Sequence, residues 1–165
     1  MTSFQQRKDI GDAHEQCVAR ELGKRGWTVD EWGQGVLSPA ARAALRRSNS
    51  FLRWTPDLIA ARGPHLFMID CKSRMTSRAP GRHAVEAAAV TAHLQLAAWT
   101  GMPVCYVFDN LDVLTPLDVL MTGGRGPRSA RGSGSPYHLV PVQHALDFDT
   151  VFGEVSGDAQ RLPAA

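Results

Sequence analysis

The stretch from Asp57 to Lys72 constrains this chain more than any other. It reads DLIAA, then Arg62-Gly63-Pro64, then HLFMIDCK. Two short apolar runs on either side of a Gly-Pro turn read as strands 57–61 and 65–72 of one hairpin. Asp57 opens the first strand, Asp70 sits near the end of the second, and Lys72 follows two residues later. Strand side chains alternate, so Asp70 and Lys72 share one face, while Cys71 turns to the other with Phe67 and Ile69. Closing the hairpin brings Asp57 close to Asp70. Two carboxylates and an ammonium therefore converge at one end of a sheet.

Two carboxylates a few ångströms apart repel each other, and without compensation one takes up a proton. A hard divalent cation removes that conflict. Magnesium binds through one or two carboxylates, keeps several waters and leaves positions for phosphate oxygens. Such an ion lowers the pKa of a water and offsets charge on phosphorus. Lys72 beside it can position or deprotonate the water, or neutralise developing charge.

The 165 residues suit one domain. Around the hairpin, 9–25 reads as a helix with Gly11, Glu15, Val18 and Leu22 on one face, ended by Gly26. Residues 27–32 read as a short strand, and Ala40–Arg47 as a short helix capped by Ser38 with Pro39 at its first turn. Residues 83–100 predict a long helix with an apolar stripe of Val85, Ala89, Ala92, Leu96 and Trp99. The apolar run 103–108 predicts a buried strand. Residues 122–136, rich in glycine and arginine, read as a flexible basic loop, 137–142 as a last strand, and the acidic tail from Asp147 as frayed. That order predicts an α/β domain with a central mixed sheet flanked by helices: a core at about 9–108 and a C-terminal extension at 137–165.

The net charge of +2 conceals an asymmetry. Residues 38–82 carry nine basic side chains and only two acids, Asp57 and Asp70, so the segment is +7 and the remainder −5. A locally basic surface suits a polyanion. No apolar run is long enough for a membrane span, and the first residues carry no apolar signal core, so a cytoplasmic location is expected. Three scattered cysteines form no CxxC pair, which points away from a zinc site and a disulfide framework. The six histidines show no paired ligand spacing, and Trp27 reads as packing.

Pro56-Asp57, twelve residues, then Asp70-Cys71-Lys72 resemble the motif of the PD-(D/E)xK nuclease superfamily. The resemblance runs from about Ile10 to Phe108. It implies a restriction-endonuclease-like core and metal-dependent phosphodiester hydrolysis leaving a 5′-phosphate and a 3′-hydroxyl. The first helix, GDAHEQCVARELGKRGWTV, looks like that of archaeal Holliday-junction resolvases, which implies that Glu15 joins Asp57 and Asp70 at the metal. The superfamily also implies a ligand role for the Cys71 backbone carbonyl. Gln95 and Trp99 resemble the QxxxY motif of RecB-type nucleases, with tryptophan in place of tyrosine, and are expected to contact DNA or brace the site.

Together these readings predict a magnesium-dependent DNA nuclease, with manganese as a substitute ion, acting on branched or otherwise structured DNA. Arg42, Arg46, Arg47, Arg53, Arg74 and Arg78 flank the motif and are expected to contact phosphates, with Trp54 stacking on a base. Paired cuts need two sites, which predicts a homodimer. A sequence-specific restriction-type enzyme, a RecB-like exonuclease and a non-catalytic DNA-binding or assembly protein on the same fold stay open as alternatives.

Overall fold

The structure is a computed structural model describing residues 4–73, 76–77, 81–128 and 134–154. Arg74 and Arg78 lie outside those residues, as does Arg131 of the glycine-rich segment. The chain runs α1 (Phe4–Lys24), β1 (Thr28–Glu31), α2 (Pro39–Arg47), β2 (Leu58–Arg62), β3 (His65–Lys72), β4 (Thr76–Ser77) and β5 (Arg82–Glu86). It continues through α3 (Ala87–Thr100), β6 (Val104–Phe108), β7 (Val113–Leu114), α4 (Pro116–Thr122), β8 (Gly124–Arg128), β9 (Pro136–Pro141) and α5 (Phe148–Phe152). Two 3-10 turns, Gln34–Val36 and Phe51–Trp54, precede β2.

Five strands form a mixed sheet in the order β1-β2-β3-β6-β7. The β2–β3 hairpin is antiparallel, with Gly63 at φ +56 in the turn, where glycine carries no steric penalty. β3 and β6 are parallel, placing Asp70 opposite Tyr106 and Lys72 opposite Phe108. The crossover between them carries α3, as a parallel pair requires. α2 starts as expected, with the Ser38 hydroxyl accepting from the Ala41 N–H at 3.2 Å. α3 ends at Gly101, in the left-handed region at φ +69.

Alternation divides the sheet's residues between two cores. On one face Leu58, Ala60, Ile69, Cys105 and Val107 pack with Val18 and Leu22 of α1, Trp27, and Phe148 and Phe152 of α5. On the other, Tyr106, Phe108 and Leu114 pack with Val90 of α3, Val119 of α4, and Val85 and Val140. Asp70 and Lys72 belong to this second face, which buries Met68 as well.

Three expectations change. Residues 82–86 are strand, not the start of the long helix, and they join a second antiparallel sheet in the order β4-β5-β9-β8. Part of the glycine-rich segment, Gly124–Arg128, is an edge strand of that sheet rather than a flexible loop. Gly126 packs so tightly that a Cβ there would lie 2.9 Å from Tyr137 O, so the glycines that read as linker serve close strand packing. The chain after Asp147 is not frayed where the structure describes it. The Asp147 side chain caps α5, accepting from Thr150 N at 2.9 Å, and Phe148 and Phe152 are core. Arg62 closes this corner, donating to Arg25 O and Phe152 O at 3.0 and 2.9 Å and lying 4.6 Å from the Trp27 ring centre. One arginine of the basic segment is thus spent on structure rather than on a partner.

Among the described residues, no helix is long and apolar enough to cross a membrane.

Candidate active site

The hairpin places Asp57 just ahead of β2, where its N–H donates to Ile69 O at 2.9 Å, across from Asp70. The Cys71 backbone N–H donates to Asp57 Oδ2 at 2.8 Å, which orients this carboxylate along the strand end. Lys72 Nζ meets Asp70 Oδ2 at 2.5 Å and stands 5.5 Å from the Tyr106 ring centre. The Cys71 side chain turns away and packs against the α1 core, as alternation predicts. Burial, then Asp57 and Asp70, raise its thiol pKa well above the ordinary value, so it remains protonated.

The electrostatics of the two carboxylates differ. Burial first, then Asp70 and Glu15, push the Asp57 carboxyl well above the usual range, and the Cys71 N–H offsets this only in part. Burial raises Asp70 too, but Lys72, by its charge and its hydrogen bond, outweighs it and holds the group below its ordinary value. Burial opposes the charge on Lys72, yet Asp70 more than compensates, so Lys72 remains an ammonium. Glu15 is raised by burial and then by Asp12, Glu31 and Asp70.

Gln34, Arg53, Trp54, Thr55, Asp57, Asp70 and Lys72 line a cavity of about 170 Å³. A neighbouring cavity of about 270 Å³ shares Gln34 and Asp57 and adds Glu15, Glu31, Trp32 and Arg42. Glu15 therefore faces the Asp57 side of the site from α1. Arg53 and Trp54 sit at the cavity itself. Arg42 is half-buried against the acidic neighbour, while Arg46 and Arg47 are exposed on α2. Gln95 is exposed and Trp99 is 70% exposed, its ring edge-on to Phe51 at 4.9 Å, and neither lines the cavity. The apolar stripe expected on this helix is displaced: its buried face is Ala89, Val90, Ala92 and His93.

Besides Gln34 and Thr55 of the lining, two further residues shape the site without a motif. His93 is fully buried. Its Nε2 is hydrogen-bonded to Trp54 O. Its Nδ1 lies 3.0 Å from the Tyr106 hydroxyl and 3.7 Å from Asp70 Oδ2. Its one sequence signal is its spacing from Ala89 and Val90, which puts it on their helix face. Gly33 is the second. Trp32 N and Gly33 N both donate to Asp57 O, at 2.7 and 3.1 Å. A Cβ on Gly33 would lie 2.9 Å from Pro56 O and 3.0 Å from Asp57 Cα.

A divalent ion fits this donor set chemically. A carboxyl held above its ordinary pKa beside two other carboxyls lacks sufficient positive charge, since Lys72 forms its ion pair with Asp70 and offsets the rise at Asp57 only in part. Among the described residues no three His, Cys, Asp or Glu side chains form a group that could hold a metal by themselves. Magnesium does not require three, since one or two carboxylates and waters suffice.

No protein-family model matches the sequence, and no curated protein is similar to it. Solved structures do resemble it. The Holliday junction resolvase Hjc of Archaeoglobus fulgidus superposes with a TM-score of 0.54 at 16% identity, over 87% of this chain and 96% of that one. This chain has the restriction-endonuclease-like fold. A nuclease from a fusselovirus gives a TM-score of 0.50 at 13% identity, over 92% and 95% of the two chains. The shared fold is the one that the sequence resemblance implied. The β2–β3 hairpin carries the three motif residues, Asp57 just ahead of β2 and Asp70 and Lys72 in β3.

Proposed function

We propose that this protein is a divalent-metal-dependent DNA endonuclease whose site is Asp57, Asp70 and Lys72. One observation carries the reading. A half-buried Asp57 with a raised carboxyl pKa stands beside a Lys72-paired Asp70 at one cavity of a restriction-endonuclease-like sheet. A core carboxylate pair without such a role is costly, because each charge must be desolvated.

Asp57 and Asp70 would hold the ion, with Glu15 and the Cys71 carbonyl completing the set. Bound there, a divalent cation supplies a water of lowered pKa and offsets charge on the phosphate. Lys72, an ammonium, would orient the attacking water and offset charge developing on the phosphate; its pairing with Asp70 argues against its acting as a base. Arg53 and Trp54 at the cavity, with Arg46 and Arg47 beyond it, receive the flanking phosphates and a base, and Arg74 and Arg78 extend the same basic segment. Magnesium is the expected ion. The resolvase neighbour makes branched DNA the first substrate to try, cut by a homodimer with one site per strand.

The test is a cleavage panel of linear, nicked, flapped and four-way-junction DNA with magnesium or manganese, run beside Lys72→Ala. Structure-selective cleavage lost in the variant is the expected result. Protection by blocked ends would identify an exonuclease, and a discrete band pattern on plasmid a restriction-type enzyme. EDTA-insensitive DNA binding without cleavage under any metal would overturn the enzymatic reading.

A further inference from the structure

The cavity has a wall that is not part of the sheet. The turn Phe51–Trp54 supplies Arg53 and Trp54 to the lining, and Thr55 and Pro56 connect it directly to Asp57. A 3-10 turn has only a few short hydrogen bonds of its own, so its position depends on what grips it. Two carbonyls are gripped from outside. Gln34 Nε2 donates to Arg53 O at 2.5 Å. His93 Nε2, from α3, holds Trp54 O.

The chemistry of those partners determines the histidine tautomer. A backbone carbonyl only accepts, so Nε2 carries the hydrogen. Nδ1 of the neutral ring is then the acceptor, and the Tyr106 hydroxyl donates to it at 3.0 Å. Tyr106 lies opposite Asp70 in the β3–β6 register. His93 is therefore a rigid strut, fully buried, from the sheet position opposite Asp70 to the carbonyl that ends the wall. Nothing in the motif Asp57-Asp70-Lys72 requires a histidine here.

We propose that His93 is a positioning residue of the nuclease site: by donating from Nε2 to Trp54 O it fixes the wall Phe51–Trp54, and with it the approach of Arg53, Trp54 and Asp57 to Asp70. The proposal rests on the nuclease reading for its kinetic consequence only. The wall itself is a structural prediction.

Two variants of the full chain test it. His93→Phe keeps most of the ring volume and loses the donor. His93→Gln retains an N–H donor near the Nε2 position. Under conditions where thermal melts show both variants folded, single-turnover cleavage by His93→Phe should fall on the order of a hundredfold with KM nearly unchanged, as for an ångström-scale misplacement. Hydrogen exchange of peptides covering 51–57 should accelerate in His93→Phe. His93→Gln should recover most of both losses. Unchanged rate and protection in His93→Phe would overturn the proposal, and so would a His93→Gln as impaired as His93→Phe. If the wild-type protein cuts no DNA, the nuclease reading fails by that result alone. The exchange comparison then still decides whether His93 holds the wall.

Discussion

Replacing Gly33 with alanine tests how tightly the loop after β1 is fitted to the catalytic hairpin. The added methyl would lie 2.9 Å from Pro56 O, 3.0 Å from Asp57 Cα and 3.3 Å from Asp57 Oδ1, whereas ordinary contact begins at 3.4 Å. The backbone must separate by about 0.5 Å, and the first two obstacles are main-chain atoms that cannot rotate away. The loop cannot simply withdraw, because Trp32 N and Gly33 N both donate to Asp57 O. Overpacking of this kind costs roughly 1–3 kcal/mol. For a chain of this size that lowers Tm by about 3–10 °C. Since an ångström of misplacement costs about a hundredfold in rate, half of that predicts a loss of about tenfold. Thermal melts and single-turnover cleavage measure the two effects. Gly35→Ala is the control: nothing lies within 4 Å of its added methyl, so both readouts should stay near wild type. A Gly33→Ala protein with wild-type melting and wild-type cleavage would refute the argument, because the packing there would then be soft.

Asp57→Asn should abolish cleavage yet raise stability in EDTA. Burial, Asp70 and Glu15 raise the folded-state pKa of Asp57, so its contribution to stability is full below about pH 4 and is lost as pH rises through the raised value. The melting advantage of the asparagine variant should thus be largest at alkaline pH and vanish toward pH 4 in a pH series of melts. Magnesium should stabilise the wild type and not this variant, as thermal shift with and without the ion would show. Phe152→Ala empties a fully buried position between Trp27 and Phe67, with ring centres at 5.8 and 5.6 Å, and should cost about 3–5 kcal/mol in denaturant unfolding. The exposed pair Arg46→Ala and Arg47→Ala should leave melting unchanged and reduce the salt slope of DNA binding by about one for each phosphate that an arginine no longer neutralises.

Much of the site is legible in the sequence because it is local. Asp70, Cys71 and Lys72 are consecutive, and strand alternation alone assigns their faces. The turn at Gly63 determines which residues Asp57 can meet, and the observed pairing of Leu58 with Ile69 follows from it. Ser38 and Pro39 mark the start of α2 with equal economy. Trp99 departs from expectation for the complementary reason. Its spacing from Leu96 fits an apolar stripe, but the helix rotates to bury Ala89, Val90, Ala92 and His93, leaving the indole on solvent against Phe51. The buried face includes His93, which a hydropathy pattern leaves out of the core. The glycine-rich segment departs likewise, since composition there describes a linker as well as a tightly packed edge strand.

The hairpin, the shared face of Asp70 and Lys72, and the concentration of positive charge around two lone acids follow from the order of residues alone. These depend on spacings of a few residues, where covalent geometry leaves little choice. That His93 grips Trp54 O, 39 residues away in sequence, emerges from the packed molecule instead. Packing alone decided that Gly33 must lack a side chain and that Phe148–Phe152 completes the core beneath Trp27. It also decided which arginines stay available, by engaging Arg62 with Phe152 O and leaving Arg46 and Arg47 exposed. Each of these joins segments whose separation carries no periodic signal. Their partners become definite only when the sheet, its crossover helix and the C-terminal turn pack together and exclude water.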